Sequence, residues 1–158
     1  MRIKIFVFLV LAALCWSLQG LAQSSASPIE WRISVKMTSE KEGMLIMKAT
    51  VEPGWHLYGM KLPDGGPKPT VFDLSGSQGI QFEGTITPSF PPKEVNDKMF
   101  GMKLNWWDKT VSFSCRFKVI NPATPKVNGK ITYMSCDSQT CMPPKTETFS
   151  KSAKYYKK

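Results

Sequence analysis

Apolar residues recur at every second position along most of this chain. Ile29, Trp31, Ile33, Val35 and Met37 alternate with polar residues, Leu45, Met47, Ala49 and Val51 do so again, and Val111, Phe113, Cys115, Phe117 and Val119 give the cleanest run. A period of two sends one face of an extended strand into a core and the other into water, whereas an amphipathic helix needs 3.6. No segment of helix length carries the helical period. Shorter strand candidates lie at Thr70 to Leu74, Ile80 to Gly84, Gly129 to Cys136 and Thr146 to Ser150. Turn chemistry separates them at Glu42-Gly43, Asp64-Gly65-Gly66, Ser75-Gly76, Asn121-Pro122 and Asn128-Gly129. About seven or eight short strands with such spacing predict an all-β antiparallel sandwich. One core suffices for 158 residues, and four cysteines are too few for a scaffold in which disulfides replace a core.

The N-terminus reads as an export signal. Arg2 and Lys4 flank the start of an apolar run from Ile3 to Trp16, and Gly20 and Ala22 are the small residues expected before a cut after Ala22. The run is shorter than the roughly 20 residues a spanning helix needs, and Leu14 stands before Cys15 where lipoprotein processing wants a small residue. The expected division is a signal peptide over 1–22, a sandwich domain over 23–150 and a basic tail over 151–158. Removing the signal takes away two of the 21 basic residues, so the net charge falls from +9 to +7. An exported basic protein is not expected to bind nucleic acid. From Lys145 onward, Lys151, Lys154, Lys157 and Lys158 add to a surplus opposed by Glu147 alone. A solvated tail is the plain reading, and contact with an anionic membrane surface through Tyr155, Tyr156 and these lysines is the sharper one.

The stretch from Pro88 to Asp108 breaks the pattern. Pro88, Pro91 and Pro92 interrupt it, while Met99, Phe100, Met102, Trp106 and Trp107 make it unusually apolar for a connection. It is expected to be a loop packed over something.

The most informative segment is Tyr133-Met134-Ser135-Cys136-Asp137-Ser138-Gln139-Thr140-Cys141-Met142-Pro143-Pro144-Lys145. A four-residue hairpin loop would set Cys136 opposite Cys141, and facing antiparallel residues have Cα atoms about 4.5–5.5 Å apart, within disulfide reach. As a staple such a bond is inefficient, because closing about six residues removes only about 2 kcal/mol of unfolded-state entropy. On an exposed turn it is open to attack by a foreign thiolate. The spacing by itself leaves exchange chemistry and a local staple equally open.

The run Cys136-Asp-Ser-Gln-Thr-Cys141-Met-Pro-Pro-Lys145-Thr, preceded by Gly54-Trp55-His56-Leu57-Tyr58, resembles the N-terminal periplasmic domain of the thiol:disulfide interchange protein DsbD, over Pro28 to about Ser150. The resemblance implies an immunoglobulin-like β-sandwich that takes electrons from a membrane-embedded thiol reductase and passes them to thioredoxin-like or cytochrome-maturation clients in the periplasm. It implies Cys136 and Cys141 as the redox pair, with Cys141 forming the mixed disulfide and Cys136 resolving it, and no cofactor. It further implies an apolar cap loop at Asp97-Lys98-Met99-Phe100-Gly101, with Met99 or Phe100 over the sulfurs and Asp97 governing proton traffic. The family's cap aromatic falls at Met99 here, and its transmembrane and thioredoxin-like portions have no counterpart in this sequence. Lys145 is a candidate for lowering a thiol pKa, and burial under the cap would raise it.

Other residues read more plainly. Cys115 is in phase with a core face and is expected to be a buried thiol. His56, the single histidine, is expected at a strand end or on the surface, and Trp106 and Trp107 are expected to pack the cap. Two other classes fit the sequence: a protein-binding sandwich with a structural hairpin disulfide, and a Cu(I)-handling protein using Cys136, Cys141 and Met142, with Met134 or His56 as further soft or imidazole ligands.

Overall fold

The computed structural model describes residues 27–154. The expected signal peptide and residues 155–158 of the expected tail lie outside that range. Eleven strands follow one another: β1 (Ile29–Met37), β2 (Glu42–Val51), β3 (His56–Tyr58), β4 (Val71–Asp73), β5 (Ile80–Pro88), β6 (Lys93–Asp97), β7 (Met102–Trp107), β8 (Val111–Val119), β9 (Lys126–Tyr133), β10 (Ser135–Cys136) and β11 (Lys145–Ser152). All pairings between them are antiparallel. The fold is an immunoglobulin-like β-sandwich, and no helix occurs among the described residues.

The strands form three sheets, in the orders β1-β2-β8-β5, β10-β3-β7-β6 and β11-β9-β4. The first makes one layer and the other two together make the facing layer, because a single core draws on all three. Leu45, Met47, Ala49, Val111, Phe113 and Phe117 come from the first sheet, Leu57 and Trp107 from the second, and Val127, Ile131 and Tyr133 from the third. Phe113 ties them together: its ring lies 5.8 Å from Trp31, 4.9 Å from Phe72 and 5.0 Å from Trp107. Each such aromatic pair adds about 0.5–1.5 kcal/mol to the area that it buries.

The three long alternating runs fold as the period dictates. β1 and β8 match their expected spans, and β2 begins slightly earlier. Glu42-Gly43 therefore lies within β2, after the turn. The candidate at Ile80 to Gly84 continues to Pro88 through a bulge at which the β5–β8 register shifts, with Gly84 at φ +75°. Asn128-Gly129 is the inside of β9 and not a turn. Its missing side chain leaves room for the ring of Phe149, its partner on β11. β11 runs on through Ser152, and Ala153 is buried, so the first residues of the expected tail belong to the sheet.

The expected packed loop from Pro88 to Asp108 is largely a β-hairpin of β6 and β7. The alternation that would have revealed β7 is hidden because both its faces are covered: Trp107 enters the sandwich core while Leu104 enters a second, smaller one.

Candidate redox site

The sheet β10-β3-β7-β6 has two functional faces. Its register pairs Ser135 with Leu57, Cys136 with His56, Leu57 with Trp107, Tyr58 with Trp106 and Asp97 with Met102. Facing residues share a side and neighbours along a strand alternate, so Ser135, Leu57 and Trp107 point into the sandwich. Cys136, His56, Tyr58, Trp106, Leu104, Met102 and Asp97 share the outer face. There Tyr58, Leu104 and Cys136 form a second buried cluster, with Leu62, Phe100, Met102, Trp106, Met134 and Cys141 packed against it. The two adjacent tryptophans thus divide: Trp106 belongs to this cluster, and Trp107 packs the main core with its indole N–H on Phe90 O at 3.1 Å.

Cys136 reaches this face because the candidate strand at Gly129 to Cys136 changes sheets at Met134. Tyr133 still pairs with Lys145 on β11, whereas Ser135 and Cys136 pair with β3. Residues 137–140 then form the anticipated tight loop. Asp137 N–H donates to Thr140 O at 2.9 Å, and Asp137 Oδ1 accepts the N–H groups of Gln139 and Thr140 at 2.7 and 2.6 Å. These bonds hold the Asp137 carboxyl below the usual carboxylate range. Cys136 and Cys141 face each other with Cα atoms 4.0 Å apart and are joined by a disulfide. Cys136 is wholly buried and Cys141 is partly exposed.

The cap turn uses the same device. Asp97 Oδ1 accepts the N–H groups of Met99 and Phe100 at 2.7 and 2.9 Å, and Gly101, at φ +64°, lets the chain re-enter β7. Asp97 Oδ2 accepts the Tyr58 hydroxyl at 2.9 Å. The Met99 sulfur lies 3.0 Å from Cys141 Sγ. Because a disulfide sulfur carries no proton, this is a sulfur–sulfur contact and not a hydrogen bond. Phe100 sits edge-on to Tyr58, 6.0 Å between ring centres. Met99, 45% exposed, is therefore the outer cover, and Phe100 is the inner wedge.

The sequence places His56 at a strand end or on the surface. It begins β3, but its ring stacks on Trp106 at 4.0 Å, meets Tyr58 edge-on at 4.9 Å and lies opposite Cys136. Its Nε2 is buried without a hydrogen-bond partner. Lone, unpatterned histidines carry no sequence signal for such a position; only the strand register reveals it.

Lys145 gives its ammonium to Glu147 at 2.9 Å, an ion pair on β11. Met142, whose N–H bonds to Ser135 O at 2.9 Å, lines a shallow pocket with Tyr133, Ser135 and Pro143. Among the described residues no group of three His, Cys, Asp or Glu side chains is arranged to hold a metal. Cys115 is buried opposite Leu45, and burial pushes its thiol pKa up.

A family model described as thiol:disulfide interchange protein DsbD, N-terminal, matches residues 24–153. The chain belongs to the DsbD N-terminal family. Together with the disulfide, membership in the DsbD N-terminal family supports thiol–disulfide exchange as the general chemistry. Among solved structures, the N-terminal periplasmic domain of ScsB from Proteus mirabilis is similar in fold, with a TM-score of 0.61 at 17% identity, over 84% of this chain and 49% of that one. The chain thus spans about half the length of the ScsB chain. The reduced DsbD N-terminal domain from Neisseria meningitidis aligns with a TM-score of 0.47 at 14% identity, over 79% of this chain and 86% of that one. No curated protein sequence matches.

Proposed function

We propose that this protein is an exported, periplasmic relay that carries reducing equivalents through Cys136 and Cys141, from a membrane-embedded thiol reductase to thioredoxin-like or cytochrome-maturation clients. The observation that carries this reading is the asymmetry of the pair: Cys141 is partly exposed beneath one methionine, and Cys136 is sealed in its own small core. In the first half-reaction a donor thiolate attacks Cys141 Sγ along the S–S axis, and Cys136 leaves with the bonding electrons. The donor's second thiolate then attacks its own mixed-disulfide sulfur and releases Cys141. The donor leaves as a disulfide and the pair stays as a dithiol, which reduces an oxidised client by the reverse steps. Asp97, Met99 and Phe100 form the cap, which excludes stray thiols and yields to a partner. The signal over 1–22 delivers the sandwich over 23–150 to that compartment, and the basic residues of 151–158 supply positive charge for contact with an anionic membrane surface.

The test is thiol trapping across a dithiothreitol or glutathione redox series, with Cys136→Ser and Cys141→Ser controls. Reversible interconversion of the pair is expected, with Cys136→Ser accumulating a mixed disulfide with a thioredoxin-like protein through Cys141. A pair that resists reduction until the protein unfolds would sink the relay and favour a staple.

A further inference from the structure

We propose that His56 is the proton acceptor for the Cys136 thiol, and so sets the rate at which Cys136 closes on a mixed disulfide held by Cys141. The inference rests on the exchange reading above and adds a residue to it. Three observations carry it. The β3–β10 register sets His56 directly opposite Cys136 on the outer face of the sheet, where side chains of facing residues are in reach of one another. The ring is fixed by the Trp106 stack and the Tyr58 edge contact. Its Nε2 is buried yet bonds to nothing, and a buried polar atom without a partner is uncommon and calls for a reason. A thiol proton on the fully buried Cys136 has no bulk water to leave to.

The charged surroundings agree. Burial holds the imidazole below its ordinary range, while Asp97 from the cap hairpin, Asp137 from the cysteine loop and Asp108 from the end of β7 pull the other way. Asp108 is partly answered by Lys93 of β6 at 3.8 Å, and Asp97 accepts a hydrogen bond from the Tyr58 hydroxyl. His56 therefore rests as the neutral base. In the closing step the proton passes from Cys136 Sγ to the imidazole, the thiolate attacks Cys141 Sγ, the Cys136–Cys141 bond forms, and the partner sulfur departs as a thiolate with the electron pair of the broken mixed disulfide. In the opposite direction the imidazolium returns its proton to Cys136 as that sulfur leaves. An unassisted thiol with a pKa of about 8.5 is only a few per cent thiolate at neutral pH, so a base that takes the proton as the sulfur attacks should speed closure by about tenfold or more.

The experiment mixes the reduced protein with an excess of a bis-nitrobenzoate disulfide and follows the coloured thiolate in two phases, attack by Cys141 and then closure by Cys136, as a function of pH. His56→Gln and His56→Phe are the variants; the Phe form keeps the stack on Trp106 and removes both nitrogens, and circular dichroism checks that each is folded. The expected result is an unchanged first phase, with a closing phase slowed about tenfold at neutral pH in both variants and its pH profile moved toward that of an ordinary thiol. A closing phase with the same rate and profile in the His56→Phe variant overturns the proposal, since a purely structural histidine would give that result. Absence of any second phase in the unaltered protein would instead overturn the exchange reading, and the proposal with it.

Discussion

The carboxylate of Asp97 joins the cap to the floor of the site: one oxygen takes the Tyr58 hydroxyl at 2.9 Å, and the other takes the backbone N–H groups of Met99 and Phe100. Asp97 is 6% exposed, so water cannot replace it freely. Burial first, then the hydrogen bond and the charge of Asp97, raise the Tyr58 pKa well above the phenol range, which keeps the hydroxyl a donor at every relevant pH. Asp97→Ala strands three donors and is expected to cost about 2–4 kcal/mol in denaturant unfolding. Asp97→Asn keeps an acceptor for the two backbone groups and is expected to cost less than half of that. Equal losses for the two variants would contradict this role.

Met99 is expected to govern access and not stability. It is half exposed and touches the Cys141 sulfur, so Met99→Ala removes the cover while leaving the buried cluster intact. Reduction of the disulfide by dithiothreitol should accelerate by roughly three- to tenfold, because exchange depends on a clear approach to one sulfur. The unfolding free energy should move by no more than about 0.5 kcal/mol. A reduction rate equal to that of the unaltered protein would show that the methionine is no barrier.

What the sequence made legible follows from burial geometry. Val111–Val119 was readable because only one of its faces is covered, which leaves a clean alternation. β7 was not, since Trp107 serves one core and Leu104 with Trp106 the other, and a strand buried on both sides loses its period. β3 has three residues, too few for any period. The cysteine loop was readable from its spacing. His56 was unreadable as a neighbour of Cys136, because their proximity arises from a pairing between distant segments and leaves no local mark. Asn128-Gly129 carried a turn signature, yet the space that Phe149 needs decided its place inside β9.

The disulfide should matter little to the fold. It closes a short loop, with a sequence separation of 5, and the chain-entropy model gives about 2 kcal/mol for a loop of about six residues. The sandwich core is built without it. Urea unfolding of the oxidised and reduced forms should therefore differ by about 2 kcal/mol or less, whereas Phe113→Ala, which empties the junction of three sheets, should cost about 3–5 kcal/mol. Reduction that unfolds the protein would invert this ranking and mark the bond as a staple.

Stability should fall in two separate acid windows. Burial lowers the His56 pKa in the folded protein, so as the pH drops through the ordinary imidazole value of about 6.5 the unfolded chain takes up a proton that the folded chain refuses. The unfolded state then binds more protons and stability is lost; above that value nothing is lost. Asp137 is also lowered, by the N–H groups of Gln139 and Thr140. Its contribution is present above the ordinary carboxylate value of about 4 and disappears as the pH falls below it. His56→Phe should flatten the first window and leave the second, when the unfolding free energy of the oxidised protein is measured between about pH 3 and pH 8. Parallel curves for the variant and the unaltered protein would mean that His56 titrates alike in both states, and that its burial beside Trp106 exerts no pull on its proton.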